Sequence, residues 1–449
     1  MTAAVAAAPN PQRVALASFA AALLLGAGAP LAALPPPAHA LLSSPNARIP
    51  RTAEAALRRS IPAFNPSVQA VQKKVEDVGF LLRIPQRKPW GSMAADADTA
   101  LALVAGASGT SGSGGGAAAG GGAAAAAAAA PASAAATPGA PPAAVTGPAL
   151  RLLEGVPDGE RARGEAALRR LEVSLGQLRQ AIAAQQADWA GSRAADALRA
   201  TADLELLQAP DLAFRLPPAY AEGRPVLRGR AVVRLEVSRG GDGAPAFADD
   251  ERGGGLASTG VAEITLDGYS APLTAGRLAA NVRAGLYDGT KVAASFASVL
   301  VGPRPGSGAA AERPPVPLEM LPQGEFDPVY RLPLDVPGGE LPVLPLSVEG
   351  AVGLARLPDG DPAFVSGSQW FVGKFDRSQA GLSGLAFDEG QLPVAGYVTK
   401  GYDSVLRRLR TGDVIVRARI VEGEDRLRLP APAGELAPGT GGGAGPVGG

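Results

Sequence analysis

Residues 266–302 read LDGYSAPLTAGRLAANVRAGLYDGTKVAASFASVLVG, and their reading decides the fold. Leu278, Val282 and Leu286 recur every four residues, which places them on one helical face. Thr274 is positioned to cap the start of this helix, and Gly285 serves its C-terminal turn. LYDG then makes a tight turn, after which small and apolar side chains stand where polar ones would be usual in an active site. Residues 286–302 are therefore an active site, the remains of one, or neither.

Outward from this stretch the texture is that of short strands. RGRAVVRLEVS (228–238) alternates through Val232, Val233, Leu235 and Val237, and VAEITLDGYS (261–270) does so through Val261, Ile264 and Leu266. LPVLPLSVEGAVGLAR (341–356), QWFVGKF (369–375), PVAGYVTK (393–400) and DVIVRARIVEG (413–423) are further strand segments, and SVLRRLR (404–410) reads as a second short helix. Many short strands with two helices predict a closed barrel with helical plugs. Gly253–Gly255 lacks the following lysine and helix of a phosphate-binding loop, so it is a connection.

Ahead of the barrel the period changes to helical. TAEAALRRSIP (52–62) has a capped start and a proline stop, and Val68, Val71, Val75, Val78 and Leu82 form one face over four turns. Leu168, Leu171, Leu175, Leu178 and Ile182 form a second stripe, and Leu198, Ala202, Leu204 and Leu207 a third. Each helix needs a partner face, and an antiparallel bundle supplies it. Residues 108–148 are nearly all Ala, Gly, Ser and Pro and cannot bury enough apolar surface to offset their ordering entropy, which predicts a flexible insertion. RIPQRKPW (83–90) is either a partner-binding patch or a basic connection between helices.

Composition removes whole classes of chemistry. Lys plus Arg equals Asp plus Glu at 42 each, so nothing draws the chain to nucleic acid or an acidic membrane. There is no cysteine, and the one histidine, His39, lies in RVALASFAAALLLGAGAPLAALPPPAHA (13–40), where a charge, an apolar core and a small-x-small triplet follow the order of an export signal. Thiol chemistry and histidine-based triads, bases or metal sites drop out of the mature chain. Neither a cofactor nor a metal is expected, and membrane association is at most peripheral. The alternative for 13–40 is a membrane anchor, which its glycines and prolines interrupt. The expected organisation is a signal (1–40), a helical domain in two parts (41–107 and 149–222) split by the insertion, a β-barrel (226–428), and a Gly/Pro-rich disordered tail (429–449).

In this order, LDGYSAPLTAGRLAANVRAGLYDG, GAVGLAR, SGSQWFVG and FDEGQLPVAGYV resemble the cyclophilin-type peptidyl-prolyl isomerases over roughly residues 226–428. ALRRSIP, FLLRIPQRKP and DLELLQ are similar to the plant and algal thylakoid-lumen members that carry a helical domain ahead of the barrel. The resemblance implies an eight-stranded antiparallel barrel with two helices, and rotation about Xaa-Pro amides as the chemistry. That barrier is about 18–20 kcal/mol because of amide resonance. The family lowers it with an arginine that donates to the pyramidal proline nitrogen of the twisted state. It grips the proline ring in an apolar pocket.

Carried onto this chain, the family's Phe-His-Arg falls on Val292, Ala293 and Ala294, and its pocket glutamine on Gly302. The donor position is thus Ala294. Val299, Leu300, Phe371 and Phe387 keep apolar character at the pocket positions, Gln369 keeps the glutamine of SGSQWF, and Ala386 replaces a tryptophan. Arg356 stands where the family has asparagine, at the groove rim, as a speculative substitute donor; Lys291 is a weaker one. Glu325 with Asp327, and Asp388 with Glu389, read as turn carboxylates rather than catalytic pairs. Three readings follow: a binder of Pro-containing segments, including those of photosynthetic complex subunits, with weak or no turnover; a low-rate isomerase using Arg356; or a structural subunit with a vestigial groove. The resemblance points to the thylakoid lumen. The signal alone leaves a periplasm or secretion open, since the twelve residues ahead of Arg13 are too few for a plastid leader.

Overall fold

The computed structural model describes residues 49–430 apart from 86, 108–143, 210, 242–243, 250–254, 304–311, 358–359 and 376–384. The export segment, most of the Ala/Gly-rich insertion and the tail beyond Pro430 lie outside the described residues. Among the described residues seven α-helices precede the first strand: α1 (Ala53–Arg59), α2 (Pro66–Leu81), α3 (Trp90–Val104), α4 (Ala149–Leu152), α5 (Arg161–Ala183), α6 (Ala187–Gln208) and α7 (Pro218–Ala221).

Asn65 starts α2. Its side-chain oxygen accepts from the amides of Ser67 and Val68, and its amide nitrogen donates to the carbonyls of Arg151 at 2.9 Å and Glu154 at 3.2 Å, tying α2 to the end of α4. The valine stripe of α2 and the leucine stripe of α5 are buried together, as their spacing requires. Two features of this bundle depart from the sequence reading. Helix α3 was not expected, because its buried face, Met93, Ala97, Ala100 and Val104, is half alanine and carries little hydrophobic signal. In α6 the buried face is Ala190, Ala194, Ala197, Ala200 and Leu204, while Leu198 and Leu207 sit at its margin. Small residues face α5 because the two long helices, joined by three residues, pack side by side along their length. Lys88 donates to the carbonyls of Leu82 and Ile84 at the end of α2, so the Arg83–Trp90 stretch is used as a helix-terminating connection. At the far end of the expected insertion Val145 is already buried, and the Thr146 amide donates to Gly106.

The strands are β1 (Val226–Leu227), β2 (Arg230–Ser238), β3 (Phe247–Asp249), β4 (Gly255–Ala257), β5 (Thr259–Asp267), β6 (Thr290–Lys291), β7 (Ala293–Ala294), β8 (Ser298–Val301), β9 (Val316–Pro317), β10 (Glu319–Met320), β11 (Val329–Tyr330), β12 (Ala351–Arg356), β13 (Phe364–Gly373), β14 (Val394–Lys400), β15 (Val414–Glu422) and β16 (Leu427–Arg428). The main sheet is antiparallel and runs β6-β15-β2-β5-β14-β12-β13-β8-β7, with β9 also on β13. Its two end strands are neighbours in sequence, separated by Val292 alone. The Val292 amide donates to Asp413 at 2.8 Å, its carbonyl accepts from Gly412 at 3.0 Å, and its side chain is buried in the core. One continuous segment, 290–294, therefore leaves one edge of the sheet and joins the other, and the barrel closes on it.

Helix α8 (Pro272–Arg283) plugs this barrel. Thr274, expected to cap it, lies inside the first turn; Ala271 occupies the cap position without a side-chain bond. The capping oxygen comes instead from Glu319, 45 residues on, whose Oε2 accepts from the Leu273 and Thr274 amides at 3.0 and 2.9 Å and from the Thr274 hydroxyl at 3.0 Å. The expected second helix at 404–410 is a single 3-10 turn, Leu406–Arg408. Between Gly401 and Gly412 there is room for no more, and so short a segment cannot repay helix nucleation. Of the expected strand 341–356 only β12 is a strand; residues 342–348 form a loop packed over the sheet.

The outer face of β12–β14 is apolar and covered. Ala351, Phe371, Val394 and Tyr397 form one contiguous layer with Leu344, Leu346 and Val348 from that loop and with Ala56 and Leu57 from α1. Helix α1 is fixed to the barrel by charge. Ser60 donates to Asp267 at 2.5 Å, Arg230 pairs with Asp267 at 3.1 Å, and the Arg230 guanidinium also donates to the Leu57 carbonyl.

Burial raises Glu319 to about 7 from an ordinary 4.5, against the opposing donors from Thr274, Tyr330 and Leu273. Glu205 on α6 is raised to about 7 from the same value, first by burial, with Arg58 opposing and Glu76 reinforcing. A carboxyl whose folded pKa exceeds its unfolded one binds more protons when folded, so stability falls as pH rises between the two values and levels off above the folded one. Denaturant unfolding at about pH 5 and about pH 8 should show the protein losing up to about 3 kcal/mol per group. Glu319→Gln should remove its share of that slope; an unchanged slope in this variant would count against the assignment.

Candidate functional site

The site strands are β7, β8, β12 and β13. Leu300 faces Phe371 across β8 and β13, while Val299 pairs with Val372 and Val301 with Trp370. Alternation sorts these residues. Leu300, Gln369 and Phe371 share the outer face with Gly353 of β12, whereas Val299, Val301, Trp370 and Val372 enter the barrel core. Val299 is fully buried there, so it supports the groove from behind rather than lining it, a correction to the pocket expected from the sequence.

Phe371 is 8% exposed. A Cβ on Gly353 would lie 3.0 Å from the tip of its ring and 2.3 Å from the Pro393 carbonyl, so only glycine lets the ring lie flat on β12. Phe387 behaves oppositely: it is 87% exposed, beyond Ala386, whose amide donates to the Ser347 hydroxyl. The Ala386–Phe387 edge is therefore a rim, with one small and one projecting side chain.

Ala294 carries no donor, and its backbone is already occupied. Thr411 accepts from its amide at 2.9 Å and donates to its carbonyl at 3.1 Å. Pairing of Ala293 with Leu300 and of Ala294 with Val299 puts Ala293 on the Leu300 side, while Ala294 packs against the barrel core. Lys291, in β6, is exposed and pairs with Val414 at the other sheet edge. Arg356, at the end of β12, is half exposed and bonded to Asp388 at 3.3 Å. An exposed pair of this kind is worth at most about 1 kcal/mol, so Arg356 is held only loosely.

Glu389, next to Asp388, is a structural anchor. It is buried, accepts from the amides of Leu346 at 2.9 Å and Ser347 at 2.8 Å and from the Ser347 hydroxyl, and burial raises its pKa against those donors. It pins loop 342–348 onto the outer layer. Glu325 and Asp327 lie in the exposed turn between β10 and β11. Among the described residues no group of three or more acidic or histidine side chains stands close enough to hold a metal ion, and no helix is long and apolar enough to cross a membrane. The sequence reading did not single out Glu319, Asp267 or Arg230, nor the anchoring role of Glu389, because the bonds that matter reach residues more than 35 positions away.

Gly302 has φ +115, and a Cβ there would meet the Ser368 carbonyl at 2.6 Å. The backbone therefore disfavours any side chain at this position. Gly302→Gln should lower stability by about 1–3 kcal/mol through forced positive φ and steric overlap. Its unfolding midpoint is the measurement, and a midpoint equal to that of the parent would refute the exclusion.

No family model matches the chain. Curated proteins do. It is 38% identical over 397 residues to the chloroplastic peptidyl-prolyl cis-trans isomerase CYP37 of Arabidopsis thaliana, covering 88% of this chain and 74% of that protein. A thylakoid lumen peptidyl-prolyl cis-trans isomerase of Synechocystis sp. is 33% identical over 62% of this chain and 69% of its own length. The chloroplastic CYP38 of Arabidopsis thaliana is 25% identical over 92% of this chain. With a barrel closed by the segment after a YDG turn and an outer-face Gln-x-Phe on β13, the chain belongs to the cyclophilin-type peptidyl-prolyl cis-trans isomerase family, in its chloroplast and thylakoid-lumen group.

Proposed function

We propose that this cyclophilin holds Pro-containing segments of other proteins and isomerises them slowly or not at all. The observation that carries this is Ala294: at the family's donor position there is a methyl group, on a backbone bonded in both directions to Thr411. Gly302 removes the second polar group and cannot regain it. The remaining outer-face residues, Leu300, Gln369 and Phe371 with the rim pair Arg356 and Phe387, supply apolar contact, an amide and a cation. That set suits binding an extended chain better than stabilising a twisted amide. Clients among photosynthetic membrane complexes and a role in their folding or assembly are part of this proposal, supported by the company of chloroplast and thylakoid-lumen relatives.

Loss of one donor aimed at a transition state typically costs about 100- to 1000-fold in rate. A proline-peptide isomerisation assay on the full chain should therefore find a rate lower by about that factor than that of an arginine-bearing cyclophilin. Arginine introduced by Ala294→Arg, or by Ala293→Arg on the Leu300 side, should recover part of it. A parent rate equal to the arginine-bearing enzyme sinks the proposal. Arg356, loosely held by Asp388, supports a second reading, a low-rate isomerase in which it donates. That reading requires Arg356→Ala to abolish whatever turnover remains while peptide affinity persists.

A further inference from the structure

Among the described residues four arginines are nine-tenths buried or nearly so, and three of them have carboxylate partners. Arg58 pairs with Glu76 at 2.8 Å, Arg239 with Asp413 at 2.6 Å, and Arg230 with Asp267 at 3.1 Å. Arg277, on α8, does not. Its side chain is 7% exposed, its Nε has no hydrogen-bond partner, and no ion pair reaches it among the described residues. A guanidinium cannot shed its charge at any ordinary pH, so burial without a counter-charge is the expensive arrangement that the other three avoid.

The surroundings add positive charge. The residue before Arg277, Gly276, lies against the chain leading into β1: a Cβ there would meet the Pro225 carbonyl at 2.7 Å, and Arg224 immediately precedes Pro225. One turn further along α8, Asn281 donates to the Gly367 carbonyl at 2.8 Å. A Cβ on Gly367 would in turn lie 2.5 Å from the carbonyl of Arg313, whose amide donates to the Ser368 hydroxyl at 2.7 Å. Burial lowers the Arg277 pKa first, and the Arg313 and Arg224 cations lower it further. The remaining titratable neighbour is the buried Tyr287, whose hydroxyl is committed to the Ser368 carbonyl at 3.0 Å. Arg224 is held through Tyr220, to whose carbonyl its guanidinium donates at 3.0 Å.

We infer that Arg277, Arg224 and Arg313 form an oxyanion site beside α8 that takes a phosphate group, the ligand whose charge and oxygen geometry match converging guanidinium forks. Inorganic phosphate is the probe. Full-chain protein is titrated by calorimetry and thermally unfolded while phosphate replaces chloride at constant ionic strength, with acetate as a second arm. Saturable phosphate binding and a midpoint rise of several degrees near 100-fold excess over Kd are expected, with no comparable rise in acetate. Arg277→Gln should weaken phosphate binding at least 10-fold and, in chloride alone, raise the midpoint by removing an unpaired buried charge. Arg224→Gln, at a half-buried position, should also weaken phosphate binding and carries the test if Arg277→Gln does not fold. The inference is overturned if the parent protein shows no phosphate-specific shift, if acetate acts equally, or if the variants bind phosphate as the parent does.

Discussion

The barrel depends on a single residue of chain, Val292, changing sheet edges. Its backbone bonds to the 412–413 turn while its side chain sits in the core, so β6 is fixed to β15 just before β7 leaves to join β8. Closure removes both sheet edges at once. It also fixes where Ala294 stands relative to Leu300 and Phe371, so scaffold and candidate site share one constraint. The turn behind it is secured by Asp413, which binds the Arg239 guanidinium, the Gly240 amide and the Arg410 amide. An alteration at Val292 or Asp413 would displace Ala294 and open the barrel together.

A second constraint follows from the outer sheet face. Antiparallel sheets commonly leave one face to water, but here the β12–β14 face is apolar and needs a cover. Helix α1 and loop 342–348 provide it. Each is held by a buried carboxylate, Asp267 for α1 and Glu389 for the loop, through bonds to hydroxyl and backbone groups. A cleft of about 900 Å³ opens beside this junction, lined by α1, α5, α6 and strands of the barrel, with Arg58, Arg199, Asp203, Arg230 and Lys400 among its charged walls. The bundle is joined to the barrel through α1 and these polar contacts, while each keeps its own hydrophobic core.

Burial sets the electrostatic character of the interior. Glu319 and Glu205 are both raised to about 7, and Arg277 is depressed, with desolvation the largest cause in each case. The three differ in what answers the burial. Glu319 receives three hydrogen bonds from the start of α8, Glu205 faces Arg58 with one oxygen unbonded, and Arg277 is answered by no carboxylate among the described residues.

Much of this was legible in the sequence. The valine stripe of α2, the leucine stripe of α5, the alternation of β2 and β5 and the order of the YDG, GAVGLAR and SGSQWF segments depend on local spacing, which a linear reading measures directly. So does the absence of an arginine at 294. Local spacing failed where a partner distant in sequence decides: Glu319 took the cap from Thr274, α5 turned the alanine face of α6 inward, and a loop pinned by Glu389 replaced half of an expected strand. The sequence by itself determined the family, the helical-then-barrel order and the alanine at 294, because these are properties of residue type and period. Only the tertiary structure decided that Val299 faces the core, that Gly302 excludes a side chain and that Arg277 is buried without a counter-charge among the described residues, because each depends on what chain remote in sequence places against that residue.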